Sequence, residues 1–335
     1  MDQAYRPTVV TVANEAGVSI ASVSRVLNGL PASPEMAARV LEASQRLGYV
    51  PDATARSLKA RRTNQLAFAV PDISNPVYVE MMRSIERATK SSGFRLLIHS
   101  TGADSADEVD LVTSLRHRYV DGLVMTSLRM SSSLLDALGK AAVPVVVIGN
   151  VPDDFPIDSV RTSSKQAARL AIKHLVEGDR REIGFINGPQ DTAPGRGRRE
   201  GYEEALTAEG LPFKESFVAV ANDFTHQAGY EAAKQLLRKV RPDAVFCAND
   251  LIALGALRAF KEAGIIVPAD ISVVGLDDTE LAAMSTPSLS SVSLRSGERG
   301  RLAAQLLLER LAQPDMPPLR YAVEPGLVVR ESSSR

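Results

Sequence analysis

The sequence predicts a multi-domain protein: a small all-α head followed by a larger α/β body with parallel sheets. Three observations carry this. Within the first 50 residues, three helix-sized segments each open on Thr or Ser and close on glycine. Beyond residue 64, short β-rich runs alternate with longer amphipathic ones, the pattern of βαβ units. Between the two lies ATARSLKARR, residues 53–62, a helix-prone stretch too short to be stable alone, with one large apolar side chain, Leu58, among basic residues.

The first helix opens at Thr8 as N-cap and stops at Gly17, where the turn needs positive φ. The second opens at Ser19 and runs to about Asn28, with Gly29 as terminator. The third opens at Ser33, with Pro34 at its first position and Glu35 in its first turn, and stops at Gly48. Val12, Val23, Val26, Val40, Leu41 and Leu47 are the expected core. Further on, strands are expected at 66–70, 95–100, 122–126, 143–149, 183–187, 217–221, 244–248 and 271–276. Helices fit at about 76–92, 104–118, 131–141, 163–177, 198–209, 225–239, 250–263 and 295–312. A break near 150–163 suggests two lobes of about four or five strands each; strand counting alone leaves a TIM barrel open.

The 335 residues are 44% hydrophobic and 24% charged, ordinary for a globular protein of two or three domains. One cysteine, Cys247, excludes an intrachain disulfide framework. The N-terminal residues lack the pattern of a secretory signal, and no apolar run approaches the roughly 20 residues of a membrane span, so a cytoplasmic location is expected. Charge is uneven. Residues 1–62 hold eight Lys/Arg and five Asp/Glu, a net of +3, and the remainder has a net of −4. A basic head suits a polyanion, although charge alone does not separate that from chance.

The spacing in VANEAGVSIASVSRV is that of a helix-turn-helix: small Ala13 at the helix contact, Gly17 at the turn, then Val18 and Val23 as anchors. Ile20, Ala21, Ser22, Arg25 and Asn28 fall mainly on the non-core side of the second helix. Arg25 can bond a guanine edge bidentately, while Ser22, Ser24 and Asn28 suit phosphates. A small helical bundle with a solvated polar face is the competing reading.

At this point a resemblance becomes specific. A-x-x-A-G-V-S, V-S-R-V-L-N, L-G-Y-x-P-[DN] and A-R-S-L occur here in order, followed by DGLVM, HLVEGDRREIGFINGP, FCANDLIALGALRAFKEAGIIVPADISVVGLDD and TPSLSSV. From about Thr8 to Arg330 the chain resembles the LacI family of bacterial transcription regulators. Two departures stand out: Thr11 where the family usually has an acidic residue, and apolar Ile20 and Ala21 opening the recognition helix. The latter cannot donate bidentate bonds; they suit thymine methyl groups or groove shape.

The resemblance implies a helix-turn-helix head (1–50), a hinge (51–63) and a periplasmic-binding-protein-like body (64–335) of two α/β lobes. The lobes would cover about 64–162 plus a crossover near 292–322, and about 163–291 plus the C-terminal strand. The expected DNA-facing set is Thr8, Ser19, Ile20, Ala21, Ser22, Ser24, Arg25, Asn28 and Ser33 in the head, with Arg56, Leu58 and Lys59 in the hinge. Leu58 matches the family leucine that wedges into the minor groove. The competing reading of the hinge is a basic linker.

Catalytic signatures are sparse. GRGRREG places Glu200 where a dinucleotide fingerprint demands glycine, and there is no phosphate-binding GxxxxGK[ST] loop or nucleophile elbow. His99, His117, His174 and His226 lack metal-ligand spacing. Neither cofactor nor metal is therefore expected. Cleft candidates instead follow strands. Arg198 would stand at the start of a helix, in the family's effector-arginine motif R-x-x-G-[FYW]. Asn249 and Asp277 follow strands; Asp250 is the expected helix cap, and Asp278 is left to packing or the loop. Phe224 is either an aromatic platform or a core residue. Asn75, Tyr78 and Thr126 come from the first lobe. This set suits a sugar or sugar-like effector, a sugar acid or phosphorylated sugar included, with a purine less supported. The expected partners are double-stranded operator DNA, that effector and a second copy of the chain in a homodimer; VVRESSSR has no heptads for a tetramer. The expected function is a transcription regulator, most simply a repressor. A sugar-binding transport component and an α/β enzyme remain the alternatives.

Overall fold

The computed structural model describes residues 7–50 and 62–334, and the chain divides into two compact units, Met1–Thr63 and Asn64–Arg335. The first unit holds helices α1 (Val9–Ala16), α2 (Ile20–Leu27) and α3 (Pro34–Leu47). Thr8 and Thr11 form a reciprocal capping box: the Thr11 backbone N–H donates to the Thr8 hydroxyl at 3.3 Å, and the Thr8 N–H donates to the Thr11 hydroxyl at 2.7 Å. The departure at Thr11 is therefore a capping device. Gly17 ends α1 at φ 60°, and Arg39 of α3 donates to the Gly17 carbonyl at 3.0 Å, pinning the turn between α1 and α2. Val12, Ala13, Ala16, Val23, Val40 and Ala43 make the core, with Val26 and Leu47 packed at its edge. Leu41 does not join them. It is 55% exposed, because the helical rotation that buries Val40 turns the next residue outward. The expectations for Arg56, Leu58 and Lys59 fall outside the described residues.

The second unit begins with β1 (Gln65–Val70), α4 (Pro76–Lys90), β2 (Arg95–Ser100), α5 (Ser105–Ser114), β3 (Gly122–Met125), α6 (Ser132–Gly139), β4 (Val145–Ile148) and β5 (Asp158–Arg161). It continues with α7 (Ser164–Glu177), β6 (Ile183–Asn187), α8 (Ala193–Ala208), β7 (Val218–Val220), α9 (His226–Lys239), β8 (Ala244–Cys247), α10 (Asp250–Glu262), β9 (Ser272–Leu276), α11 (Glu280–Met284) and β10 (Ser290–Ser293). It closes with α12 (Ser296–Ala312), β11 (Arg320–Ala322) and β12 (Gly326–Val328).

Among the described residues these strands form two open six-stranded sheets, ordered β11-β5-β4-β3-β1-β2 and β12-β10-β9-β8-β6-β7. Two open sheets replace the barrel that strand counting left open. Neighbouring strands run parallel except β10 and β12, which are antiparallel. Each sheet is covered on both faces, which is why its strands read as near-continuous apolar runs. In β1, Leu66, Phe68 and Val70 join one core with α4 and α12, while Ala67 and Ala69 join another with α5 and α6.

The chain passes between the sheets three times: after β5, after β10 and between β11 and β12. Helix α12 therefore follows a strand of the second sheet yet packs on the first. Its Ala303, Ala304, Leu306 and Leu307 are buried with Leu66, Phe68 and Val124. Gly300 permits this, since a Cβ there would stand 2.7 Å from the Met81 carbonyl oxygen of α4.

Each lobe has more strands than expected. β5 and β10 escape a search for apolar runs because they read Asp-Ser-Val-Arg and Ser-Ser-Val-Ser. Their polar groups are buried but bonded: Asp158 accepts two bonds from Arg310, each 2.8 Å, and the Ser291 hydroxyl donates to Asp250 at 2.6 Å. Helix α8 begins at Ala193, five residues earlier than expected. Thr192 caps it, and Pro194 occupies its first turn, where a missing N–H is harmless.

Candidate functional site

Two regions gather the residues singled out from the sequence. In the first unit, α2 buries Val23 and leaves Ile20, Ala21, Arg25 and Asn28 exposed, with Ser22 and Ser24 half-buried. Ser19 caps α2 through its hydroxyl, which accepts from the Ser22 N–H at 3.1 Å. Ser33 does the same for α3 with Met36. Ser19, Thr8 and Ser33 stay exposed while capping. Asn28 is partly committed, its amide donating to the Ser24 carbonyl at 2.7 Å at the end of α2. Arg25, by contrast, is exposed in the last turn of α2 and its guanidinium has no hydrogen bond or ion pair among the described residues, while Ile20 at the helix start is 49% exposed. The face therefore offers one forked donor and an apolar patch.

In the second unit, a cavity of about 410 Å³ lies between the sheets, at the C-terminal ends of their strands. That is where α/β folds present variable loops and helix N-termini. Asn75, Tyr78, Thr126, Arg198, Phe224, Asn249 and Asp277 all line it. The volume falls within the usual range for small-molecule sites, about 300–1,000 Å³.

The side chains are unequally free. Asn75 caps α4, its oxygen accepting from the Val77 N–H at 3.2 Å. Asn249 caps α10, accepting from the Ile252 N–H at 2.8 Å, and its amide nitrogen donates to the Phe224 carbonyl at 3.0 Å. This corrects the expectation for Asp250. Asp250 instead accepts from the Thr279 N–H at 2.7 Å, the Thr279 hydroxyl at 2.8 Å and the Ser291 hydroxyl at 2.6 Å. Burial pushes its carboxyl up to about 6 against those bonds. Asp250 thereby supports the loop after β9.

That loop holds Asp277 at φ 113° and Asp278 at φ 54°, conformations that an L residue adopts only when its surroundings enforce them. Arg330 enforces the second by an ion pair to Asp278 at 2.6 Å. Asp278 thus faces the tail of the chain, while Asp277 faces the cavity.

Arg198 sits in the second turn of α8 rather than at its start, because the helix begins earlier than expected. It is 6% exposed, and its Nε is buried with no hydrogen-bond partner. Its guanidinium lies over the Phe224 ring, 5.6 Å from the centroid. The ring also packs against the core of the second lobe, so the two readings of Phe224 describe its two sides. Gly188 makes room for it; a Cβ there would come within 2.2 Å of the ring. Thr126 likewise keeps a buried hydroxyl with no partner.

Burial dominates the electrostatics. It pushes Asp277 up to about 7, with the Arg198 guanidinium pulling the other way, and it raises the Tyr78 phenol, with Asp277 adding to the rise. A residue absent from the sequence-derived set completes the floor. Arg299, from the crossover helix α12, is 7% exposed with an unpartnered Nε. Burial lowers it to about 10, opposed by Asp277. Arg129, also outside that set, joins the lobes at the cavity mouth: its Nε donates to Asp191 at 2.7 Å, beside the Ala193 N–H donating to the Leu128 carbonyl at 2.8 Å.

Among the described residues, no cluster of three or more His, Cys, Asp or Glu is placed to hold a metal, and no helix is long and apolar enough to cross a membrane.

Comparison with known proteins covers both regions. Residues 8–52 match the family model "Bacterial regulatory proteins, lacI family", and residues 172–333 match "Periplasmic binding protein-like domain". The chain is 36% identical to the HTH-type transcriptional regulator CelR of Thermobifida fusca, over 99% of this chain and 100% of that one. Among solved structures, a CelR–cellobiose complex is 35% identical with a TM-score of 0.74, covering 98% of this chain and 100% of that one. A lac repressor dimer bound to operator and the anti-inducer ONPF is 26% identical with a TM-score of 0.87, covering 98% of this chain and 99% of that one.

Proposed function

Because the chain belongs to the lacI family of bacterial regulatory proteins, and is a sequence-specific DNA-binding transcription regulator, we propose that it is a repressor whose operator binding is set by a sugar in the cleft. The observation that carries the sugar is the pairing of Arg198 with Phe224: a buried forked donor over an aromatic ring. Sugar hydroxyls accept from the fork and sugar C–H faces stack on the ring, while Asp277 accepts from hydroxyls on the other side. The cellobiose of one structural neighbour supports the same ligand class.

Two copies of the chain present two α2 helices to the half-sites of a near-palindromic operator, as in the lac repressor dimer. Arg25 reads a base edge, Ile20 and Ala21 meet thymine methyl groups, and the serines with Thr8 and Asn28 set register on phosphates. Leu58, with Arg56 and Lys59 beside it, wedges into the minor groove at the operator centre. The cleft acts as a sensor, with the buried carboxyl of Asp277 set among the arginines Arg198 and Arg299. A cytoplasmic location follows from this role. If the sugar fits one arrangement of the lobes better than the other, linkage obliges operator affinity and sugar affinity to shift by the same factor.

The test is fluorescence anisotropy on the DNA upstream of the chain's own coding region, with and without a panel of sugars that includes cellobiose and ribose. Sequence-specific binding changed at least about fivefold by one sugar is expected, the lower end of typical allosteric coupling. Sugar binding with no effect on DNA would point to a transport component instead, and turnover of a sugar to an enzyme.

A further inference from the structure

We propose that the effector is an anionic sugar, whose carboxylate or phosphate sits between Arg198 and Arg299 at the floor of the cleft. The proposal rests on the cleft being the effector site and narrows its ligand. Two guanidiniums line one cavity, each more than nine-tenths buried and each with an Nε that no described group satisfies. They come from different elements. Arg198 lies on α8, and Arg299 is carried in by α12 after the chain has crossed to the first lobe.

Their protein neighbours do not explain them. Arg299 spends one donor on the Ser296 hydroxyl at 3.2 Å, within its own helix turn. Arg198 has the Phe224 face. Asp277, the acidic group that shares the cavity floor, acts on both through charge without a hydrogen bond to either. Asp250 lies behind it with its oxygens taken by Thr279 and Ser291. Glu80 acts on Arg299 from an exposed position. A guanidinium carries five N–H donors and no acceptor, so the floor is a surplus of buried donors. Burying an unpaired charge is strongly unfavourable, and two like charges facing one cavity add to it. An oxyanion removes both penalties, since a carboxylate or phosphate offers acceptors to two forks at once. Two further acidic side chains line the cavity: Asp72, whose oxygens accept from the Ser74 N–H and hydroxyl at 2.8 Å each, and exposed Asp223, which accepts from the Thr225 N–H at 2.8 Å.

The experiment is titration calorimetry on the full chain with matched pairs: glucose with glucuronate and glucose 6-phosphate, galactose with galacturonate, and inorganic phosphate alone. At least one acid is expected to bind at least about tenfold tighter than its neutral parent, the lower bound for hydrogen bonds to a charged partner. The carboxylate and phosphate arms identify which acid the floor takes. Arg299→Gln is expected to lower acid affinity at least about tenfold and so erase that ratio. Its ligand-free melting temperature checks the fold, and should not fall, because the variant deletes a buried unpaired cation. Arg299→Lys keeps the charge without the fork and should retain part of the ratio. Neutral sugars binding as tightly as acids, or an unchanged ratio in Arg299→Gln, would overturn the anion site and leave the sugar sensor standing. Anions binding with no sugar of either kind would overturn the sugar and keep the anion site. No binding by any probe would overturn both.

Discussion

Arg25 and Asp277 show what one side chain contributes to each half of the function. Arg25 is exposed on α2, whose opening residues Ile20 and Ala21 cannot form bidentate bonds, which is why it is proposed as the main direct reader of the major groove. We predict that Arg25→Ala costs about 1–3 kcal/mol on the operator and much less on random DNA; equal losses on both would mean that it only touches phosphate. Asp277 makes a prediction about pH. Its carboxyl moves from an ordinary 3.8 to about 7 in the fold. Between those values the folded state keeps a proton that the unfolded chain releases, so rising pH takes stability away until the folded group has also ionised. Asp277→Asn lacks this loss, so its melting temperature relative to wild type should climb from pH 5 to pH 8. A difference that stays flat would remove Asp277 as the titrating group; Asp250 and Glu108, raised to about 6 and 7, titrate in both proteins. Residue roles were legible where a local motif carries them. Arg198 follows a strand and belongs to a short pattern, and Thr8, Ser19 and Ser33 announce helix starts. Arg299 has no such signature: it reads as one more charge on an amphipathic helix, and only the crossing of α12 brings it to the cleft. Asp250 does not cap α10 for a related reason: its carboxylate is taken by Thr279 and by Ser291 of β10, and the cap falls to Asn249.

At the scale of elements, local signals find the strands that contain an apolar run, the exposed edge strand β2 included, and lose those that do not. β5 and β10 are buried through hydrogen bonds to Arg310 and Asp250, partners far away in sequence, so no window along the chain could reveal them. The early start of α8 was hidden by Pro194, a residue that ends helices in their interior but suits their first turn. The stretch ATARSLKARR makes the converse case: its composition is weak for a helix, which suits the proposed role of a hinge that folds on DNA. We predict that Leu58→Ala weakens operator binding and reduces DNA bending, measured by gel mobility and energy transfer across the site, with sugar affinity in the body unchanged. Operator affinity equal to wild type would make Leu58 an ordinary linker residue.

For the molecule as a whole, the cleft is walled by both lobes, so a ligand that favours one arrangement of them reports on the pair. Among the described residues the lobes meet at the cavity mouth through the Arg129–Asp191 ion pair, largely exposed and worth no more than about 1 kcal/mol, and the Ala193–Leu128 backbone bond, besides the three passages of the chain. We predict a dimer by light scattering at micromolar concentration, and a tetramer would overturn that assignment. The three passages of the chain between lobes also set a timetable for its synthesis. In the first lobe's sheet, Leu66, Phe68, Val124 and Val160 have α4 over them but lack Leu306 and Leu307 until α12 arrives, and β5 waits for β11. At the usual pace of roughly 5–20 residues per second, the interval from residue 161 to residue 322 lasts on the order of ten to thirty seconds. During that time a nascent chain carries a half-covered apolar face and an open strand edge. Chains halted at residue 290 should accordingly pellet or be found on chaperones, whereas chains extended to residue 330 should be recovered free, as ribosome-release assays can measure.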